Sequence, residues 1–281
     1  TEIAVLLWLP LCFIQIDRWL KNPSILQSVL LGIALFFSAM SSWYYGVYLG
    51  MAAIVATGVH EMIEWWKMRI SVEYIMKLSG KLTLALLVFV FLMMPMAMQM
   101  HRSERVKGNW KKMSAMPLVV EKANPDVKEF LGPWQRPMNK PNIVLHPDVK
   151  IAYPFCMFPG FLAFVLGILG LRRRSVLPPY YLAVLFFFLI LSLGPWLKIG
   201  GHNTFFSFKI PLLTTAVVSV WKDFTPAIVH SYRAICVSWL VLAVFVALGV
   251  EQLTRMLDFG WVRQSVLSMA LVVLVMADSL D

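Results

Sequence analysis

Long stretches of this chain carry no charge, and that limits what it can fold into more than any other feature. Leu82 to Met100 runs nineteen residues without a charged side chain, Pro154 to Leu171 eighteen, Ser175 to Leu197 twenty-three and Ala234 to Val250 seventeen. At about 1.5 Å of rise per residue, a helix of roughly 20 residues crosses a hydrocarbon core of about 30 Å. The competing solution is a set of buried helices in a large soluble protein. With a hydrophobic fraction of 59%, too little polar surface remains to cover such a globule. The expected class is therefore all-α, a polytopic helical membrane protein.

The organisation follows from block lengths and charged loops. Asn22 to Val59 contains thirty-eight uncharged residues, too many for one crossing and enough for two. A tight helical hairpin is expected near Ser41-Ser42-Trp43-Tyr44-Tyr45-Gly46, whose aromatic rings suit the membrane interface. Spans at about 3–16, 24–41, 44–59, 82–100, 154–171, 178–197, 228–250 and 262–279 give eight crossings in a single transmembrane domain covering 1–281. Short connections on one side carry Arg18 and Lys21, then Lys67, Arg69, Lys77 and Lys81, then Arg172-Arg173-Arg174, then Arg255 and Arg263. Such an excess in short loops marks the cytoplasmic side. Long loops cross largely regardless of charge, so residues 101–153 are expected outside, with a second extracytoplasmic loop at 198–226. The chain starts at Thr1 inside an apolar block, and a longer parent chain is expected.

Local patterns refine this picture. Between His60 and Lys81, the charges Glu61, Glu64, Lys67, Glu73, Lys77 and Lys81 recur at roughly helical spacing among Trp65, Trp66, Ile70, Ile75 and Leu78. That spacing predicts an amphipathic helix lying on the cytoplasmic interface, with an extension of the neighbouring spans as the alternative. The outer segment holds prolines at 117, 125, 133, 137, 141 and 147, which exclude long helices. A short helix is signalled by Asn124, Pro125 and Asp126 at its start and Gly132 at its end. In the second outer segment, Pro211 to Val220 is apolar but too short to span, which suits an interfacial or re-entrant stretch. Cys12, Cys156 and Cys236 lie far apart in apolar sequence and read as packing residues. The formal charge of +10 is spread over loops flanking the spans, so membrane lipids with anionic head groups are the expected partners and nucleic acid is not.

Few residues carry a chemical signal. His60-Glu61-Met62-Ile63-Glu64 begins like a zinc-protease helix, but Glu64 stands where a second histidine is required. No metal site is read there. Asp126, Glu129, Arg136, His146 and Asp148 share the outer layer; carboxylates there could position a hydroxyl or hold a divalent cation. Their spacing matches no metal signature, no cofactor is identified, and for each of them an ordinary solvated loop charge is the competing reading. Arg233 stands at the outer mouth of the seventh expected span, with Lys222 and His230 nearby in sequence. Its planar fork suits phosphate oxygens, and snorkelling to head groups is the alternative.

One resemblance adds to these readings. Leu6-Leu7-Trp8-Leu9-Pro10 leading to Asp17-Arg18-Trp19-Leu20, the Ser41 to Gly46 turn, and Ala152-Tyr153 before Gly167-Ile168-Leu169-Gly170-Leu171-Arg172-Arg173-Arg174 occur in that order. Leu193-Gly194-Pro195-Trp196-Leu197-Lys198-Ile199-Gly200-Gly201, Ile210-Pro211-Leu212 and Tyr232-Arg233-Ala234 follow. Together they resemble the middle and C-terminal parts of bacterial polytopic proteins of the GT-C glycosyltransferase superfamily. The resemblance implies an enzyme of the bacterial cytoplasmic (inner) membrane that transfers a sugar from a polyprenyl-phosphate-linked donor on the outer face. It implies a catalytic carboxylate in a first outer loop upstream of Thr1, so no catalytic residue is assigned here. It gives Arg233 a role at the donor phosphate, where Lys222, nearby in sequence, would join it, although Thr225-Pro226-Ala227-Ile228-Val229-His230 departs from the Pro- and Arg-rich approach of similar sequences. Two other classes stay open: a lipid or glycolipid transporter or flippase, and a non-catalytic membrane assembly subunit. The spans hold few ionisable residues and no internal repeat, which argues against an ion-coupled pump.

Overall fold

A computed structural model describes residues 2–41, 43–67, 71–107, 127, 143–146, 149–151, 159–172, 177–194, 196–199, 208–212, 214–215 and 234–256, together with the single positions 265, 269, 270 and 274. These residues form seven helices and one two-stranded hairpin: α1 (Glu2–Lys21), α2 (Ile25–Ser41), α3 (Trp43–Trp66), α4 (Val72–Lys107), β1 (Ile143–His146), β2 (Val149–Ile151), α5 (Phe161–Leu171), α6 (Tyr180–Ser192) and α7 (Ile235–Met256). The hairpin is the exception to an all-α chain. It pairs Ile143 with Ile151 and Val144 with Lys150, and most of the paired residues are of the β-branched kind that favours strands.

Three of the described helices are long and apolar enough to cross a membrane: Tyr44–Trp66, Val72–Gln99 and Ile235–Met256. The chain is accordingly a membrane-embedded helical protein, but the count of eight crossings is corrected. Helices α2, α5 and α6 have 17, 11 and 13 residues, and at about 1.5 Å per residue all three are shorter than a core of roughly 30 Å. Uncharged sequence was longer than helical sequence. Gly160, at φ 93°, sets the start of α5. Pro178-Pro179 precedes α6, and Gly194, at φ 84° and followed by Pro195, ends it. The expected span at 3–16 falls within α1, and the one at 262–279 lies outside the described residues apart from single positions.

The chain divides into two compact units, Thr1–Ala115 with Pro179–Val184, and Met116–Pro178 with Leu185–Asp281. In the first unit, α1 ends as the Asn22 N–H bonds the Arg18 carbonyl, and Pro23 stops it. Ser24 caps α2, its Oγ accepting the Gln27 N–H at 3.2 Å. Helices α1 and α2 then pack through the Trp8–Phe37 ring stack, with centroids 4.7 Å apart, and the Gln15–Gln27 amide pair at 2.7 Å. The hairpin expected near residues 41–46 is present: α2 ends at Ser41, α3 begins at Trp43, and Gly46 sits so close to Ala39 that a β-carbon there would overlap it. Gly32 similarly admits Ala85 and Val88 of α4. Without a strong hydrophobic drive between helices in lipid, such small residues let backbones approach and gain dispersion contacts. Cys12 is buried and Cys236 half-buried, neither of them in a disulfide, and Cys156 lies outside the described residues.

No separate interfacial helix occupies His60 to Lys81. Residues 60–66 continue α3, and Val72 onward opens α4. Ser71 supplies the break, its Oγ accepting the Tyr74 N–H at 3.3 Å, with Glu73 in the first turn. Charged spacing at helical period fits two abutting helix ends as well as one surface helix, and the Ser79 to Glu61 hydrogen bond of 3.0 Å joins those ends. The segment expected outside also starts later than His101, since α4 continues to Lys107.

In the second unit, α5 packs on α7 along a seam of small residues. A β-carbon on Gly170 would strike the Phe245 carbonyl, and one on Gly249 the Leu166 carbonyl. Helix α7 presents Ser238, Val241, Phe245 and Gly249 as its buried stripe, the i, i+3, i+7, i+11 spacing of a single helix face. Ser238 Oγ donates to the Leu185 carbonyl at 3.1 Å, and Thr214 Oγ1 to the Leu191 carbonyl at 3.0 Å. Each hydroxyl therefore has an acceptor despite full burial.

Candidate functional site

The residues singled out for chemistry fall mostly outside the described part of the structure. This holds for Arg233, Lys222 and His230, and for Asp126, Glu129, Arg136 and Asp148. His146 is described in its backbone, as the last residue of β1 paired with Val149. The short helix expected at 124–132 is described at Val127 alone, which is helical. Among the described residues no group of three or more His, Cys, Asp or Glu side chains could hold a metal ion.

What the structure does describe is the frame around the outer candidates. Past Gly194 the chain turns back, with Trp196 bridged to Pro211 in antiparallel fashion and the Leu197 N–H bonded to the Ile210 carbonyl at 3.0 Å. Lys209 Nζ lies 5.8 Å from the Trp196 ring centroid, within the range of a cation–π contact. The Val127 N–H bonds the Lys198 carbonyl at 2.9 Å. Residue 127 belongs to the first loop expected outside and residue 198 to the second, so this bond joins the two segments directly. Ala234 and Ile235, which follow Arg233, are fully buried at the start of α7.

A second polar cluster lies in the first unit, and the sequence reading missed it. Asp17, with 16% of its side chain exposed, accepts from Lys21 Nζ at 2.6 Å and from the Tyr180 hydroxyl at 2.5 Å. The Tyr180 and Tyr181 rings stack with centroids 5.1 Å apart, and Tyr181 meets Phe13 edge-on at 5.4 Å. Nearby, Lys81 Nζ donates to the Pro23 carbonyl at 2.6 Å. The end of α1 thus meets the start of α6 through Asp17, and the turn after α1 meets α4 through Lys81. The only available sequence signal was a lone carboxylate, Asp17, one helical turn before Lys21; its tyrosine partner is 163 residues away. Carboxylate, ammonium and phenol satisfy one another, which makes the cluster a clamp holding α6 rather than an open reactive site. Replacing Tyr180 with Phe removes one hydrogen bond to a charged acceptor and is expected to cost about 1.5–3 kcal/mol, measured as a lower unfolding midpoint in detergent. An unchanged midpoint would show that the clamp carries no stability.

No protein-family model matches the chain, nor does any curated protein or any solved structure.

Proposed function

We propose that this chain is the membrane portion of a transferase that moves a sugar from a polyprenyl-phosphate-linked donor to an acceptor on the outer face of a bacterial cytoplasmic membrane. The observation that carries the reading is the Val127 to Lys198 backbone bond. A donor site under two outer segments needs those segments held together over the helix ends, and this contact is of that kind. Three long apolar helices suit a substrate whose lipid tail stays in the bilayer, and the ordered resemblance of short motifs points to the same chemistry.

In this reading Arg233, with Lys222, meets the donor phosphate, and the layer carrying Asp126, Arg136, His146 and Asp148 faces the acceptor. A guanidinium gives phosphate two parallel hydrogen bonds where an ammonium gives a point charge. Losing them in Arg233→Ala should weaken donor binding by about tenfold or more, tenfold being the scale of a single hydrogen bond to a charged group. The measurement is a titration of the intact protein with a radiolabelled polyprenyl-phosphate sugar. Unchanged affinity removes Arg233 from the site. Label that crosses the bilayer without being transferred would favour a flippase, and label that neither crosses nor transfers would favour an assembly subunit.

A further inference from the structure

Helices α1 and α2 touch at two levels and leave a furrow between those contacts. Trp8, Leu11, Gln15 and Arg18 fall at i, i+3, i+7 and i+10 on α1, and Gln27, Leu30, Ala34 and Phe37 repeat that spacing on α2, so each set lines one helix face. The helices run antiparallel, with the Trp8–Phe37 stack at one end of the furrow and the Gln15–Gln27 pair at the other. Between them Leu11 is 46% exposed and Leu30 40%, and Arg18 stands exposed one turn beyond Gln15. Gly32 of α2 abuts Ala85 and Val88, which belong to the apolar window of α4, a helix long enough to cross a membrane. Lys81, the last charge before Leu82, donates to the Pro23 carbonyl in the turn between α1 and α2. That turn therefore lies at the polar edge of the layer, and Gln27, four residues into α2, lies about 6 Å inside it.

At that depth the polar groups of the furrow are half satisfied. Gln15 Nε2 donates to Gln27 Oε1 at 2.7 Å and to the Gln27 main-chain carbonyl at 3.4 Å. The Gln15 side-chain oxygen and the Gln27 amide nitrogen have no partner among the described residues. Two amides that meet once keep a carbonyl and an NH₂ over, whichever way each is turned. Away from water such groups are costly until a polar ligand meets them. The cations nearby differ in the same way. Lys21 is held by Asp17 and Lys81 by the Pro23 carbonyl, whereas the Arg18 guanidinium has no hydrogen bond or ion pair among the described residues.

We propose that the furrow holds one diacyl glycerophospholipid: Arg18 takes the phosphate, the Gln27 amide nitrogen donates to an ester carbonyl, and an acyl chain runs past Leu11 and Leu30 to the Trp8–Phe37 stack. The order of the groups carries the assignment. Arg18 to Gln15 is three residues, about 4.5 Å along the helix, and Gln15 to Trp8 is seven more, about 10.5 Å. A glycerophospholipid presents phosphate, ester and hydrocarbon in that sequence from the surface inward. The planar guanidinium matches phosphate oxygens, and the two amides match the ester level, where a polar group is needed below the charge. A free phosphate ion would leave the amides and the apolar walls unused, and a polyprenyl phosphate carries no ester. The assignment stands whether or not the protein transfers sugar.

Comparing diester with diether phosphatidylglycerol tests it, with retention by the full chain titrated by native mass spectrometry from neutral detergent. The diether lipid keeps the phosphate and the chains but lacks the ester carbonyls. The natural chain should therefore retain the diester about fivefold more tightly, the scale of one neutral hydrogen bond. Gln15→Leu combined with Gln27→Leu removes both amides at similar volume and should hold the two lipids equally. Arg18→Gln should weaken retention of both by about tenfold, the scale of a single hydrogen bond to a charged group, and leave the preference for the diester in place. Arg18 is exposed, so this arm does not depend on how the double variant folds. Equal retention of the two lipids by the natural chain overturns the proposal, as does a diester preference that survives in the double variant, or normal phosphatidylglycerol retention by Arg18→Gln. Displacement of phosphatidylglycerol by added polyprenyl phosphate from the natural chain, but not from Arg18→Gln, overturns it too, since the furrow would then serve the donor.

Discussion

Replacing Trp19 with Ala should cost about 3–5 kcal/mol, the range for removing a fully packed aromatic side chain. Trp19 is 0% exposed and is among the largest fully buried side chains among the described residues. Its Nε1–H donates to Ser28 Oγ at 2.9 Å, and Ser28 Oγ in turn donates to the Ser24 carbonyl at 2.9 Å. The indole therefore fills the space between α1 and α2 and also completes a chain of hydrogen bonds that ends at the α2 cap. Trp19→Phe keeps most of the volume and loses only the donor, at about 1 kcal/mol. Ser28→Ala leaves a buried N–H without its acceptor and should cost about 1–3 kcal/mol. Unfolding midpoints in detergent for the three variants should rank Trp19→Ala lowest and Trp19→Phe highest. Equal midpoints for Trp19→Ala and Trp19→Phe would mean that packing at this site contributes nothing.

The second large effect is expected at the α5–α7 seam, where the sign of a glycine substitution is informative. In an open helical position, exchanging Gly for Ala stabilises by roughly 0.5–1 kcal/mol, because Gly loses more backbone freedom on folding. Gly58 is such a position, with nothing within 4 Å of an added β-carbon. At Gly170 and Gly249 the added carbon would meet a backbone carbonyl of the partner helix, and backbone cannot swing aside as a side-chain tip can. Gly170→Ala or Gly249→Ala should therefore destabilise by about 3 kcal/mol, the upper part of the usual overpacking range. Gly58→Ala should move the midpoint the other way. If all three variants shift it upward, the helices do not approach as closely as described.

The parts of this fold that could be read from sequence were those fixed by local length and punctuation. Thirty-eight uncharged residues cannot be one crossing, and the α2–α3 hairpin followed from that alone. The error in counting crossings came from treating absence of charge as helix: Gly160 and the Gly194-Pro195 step interrupt apolar sequence without interrupting its apolarity. The region 60–81 misled for the opposite reason, since its charges keep a helical period through a break that only the Ser71 cap reveals. Long-range pairing stayed out of reach. Nothing near Asp17 in sequence names Tyr180, and nothing near Gly170 names Gly249. In the segment after α6, Trp196-Leu197-Lys198-Ile199 does alternate in the manner of a strand before Gly200-Gly201, but four residues of period two inside an apolar block are too few to stand out. Arg233, Lys222 and most of the outer carboxylates lie outside the described residues, and their roles rest on chemistry and resemblance.

Helix α4 has 36 residues, about 54 Å of rod at 1.5 Å per residue. Fitting that length inside a hydrocarbon layer of roughly 30 Å would need a lean far beyond the 0–40° that membrane helices adopt. Its apolar stretch, Leu82 to Met100, already matches the layer, so about three turns at one end and two at the other must stand in water. Only 11% of its apolar window is buried among the described residues, against 44% for α3. Apart from the bend that Pro95 allows, the helix is continuous over this length, so one element reaches past both faces of the layer.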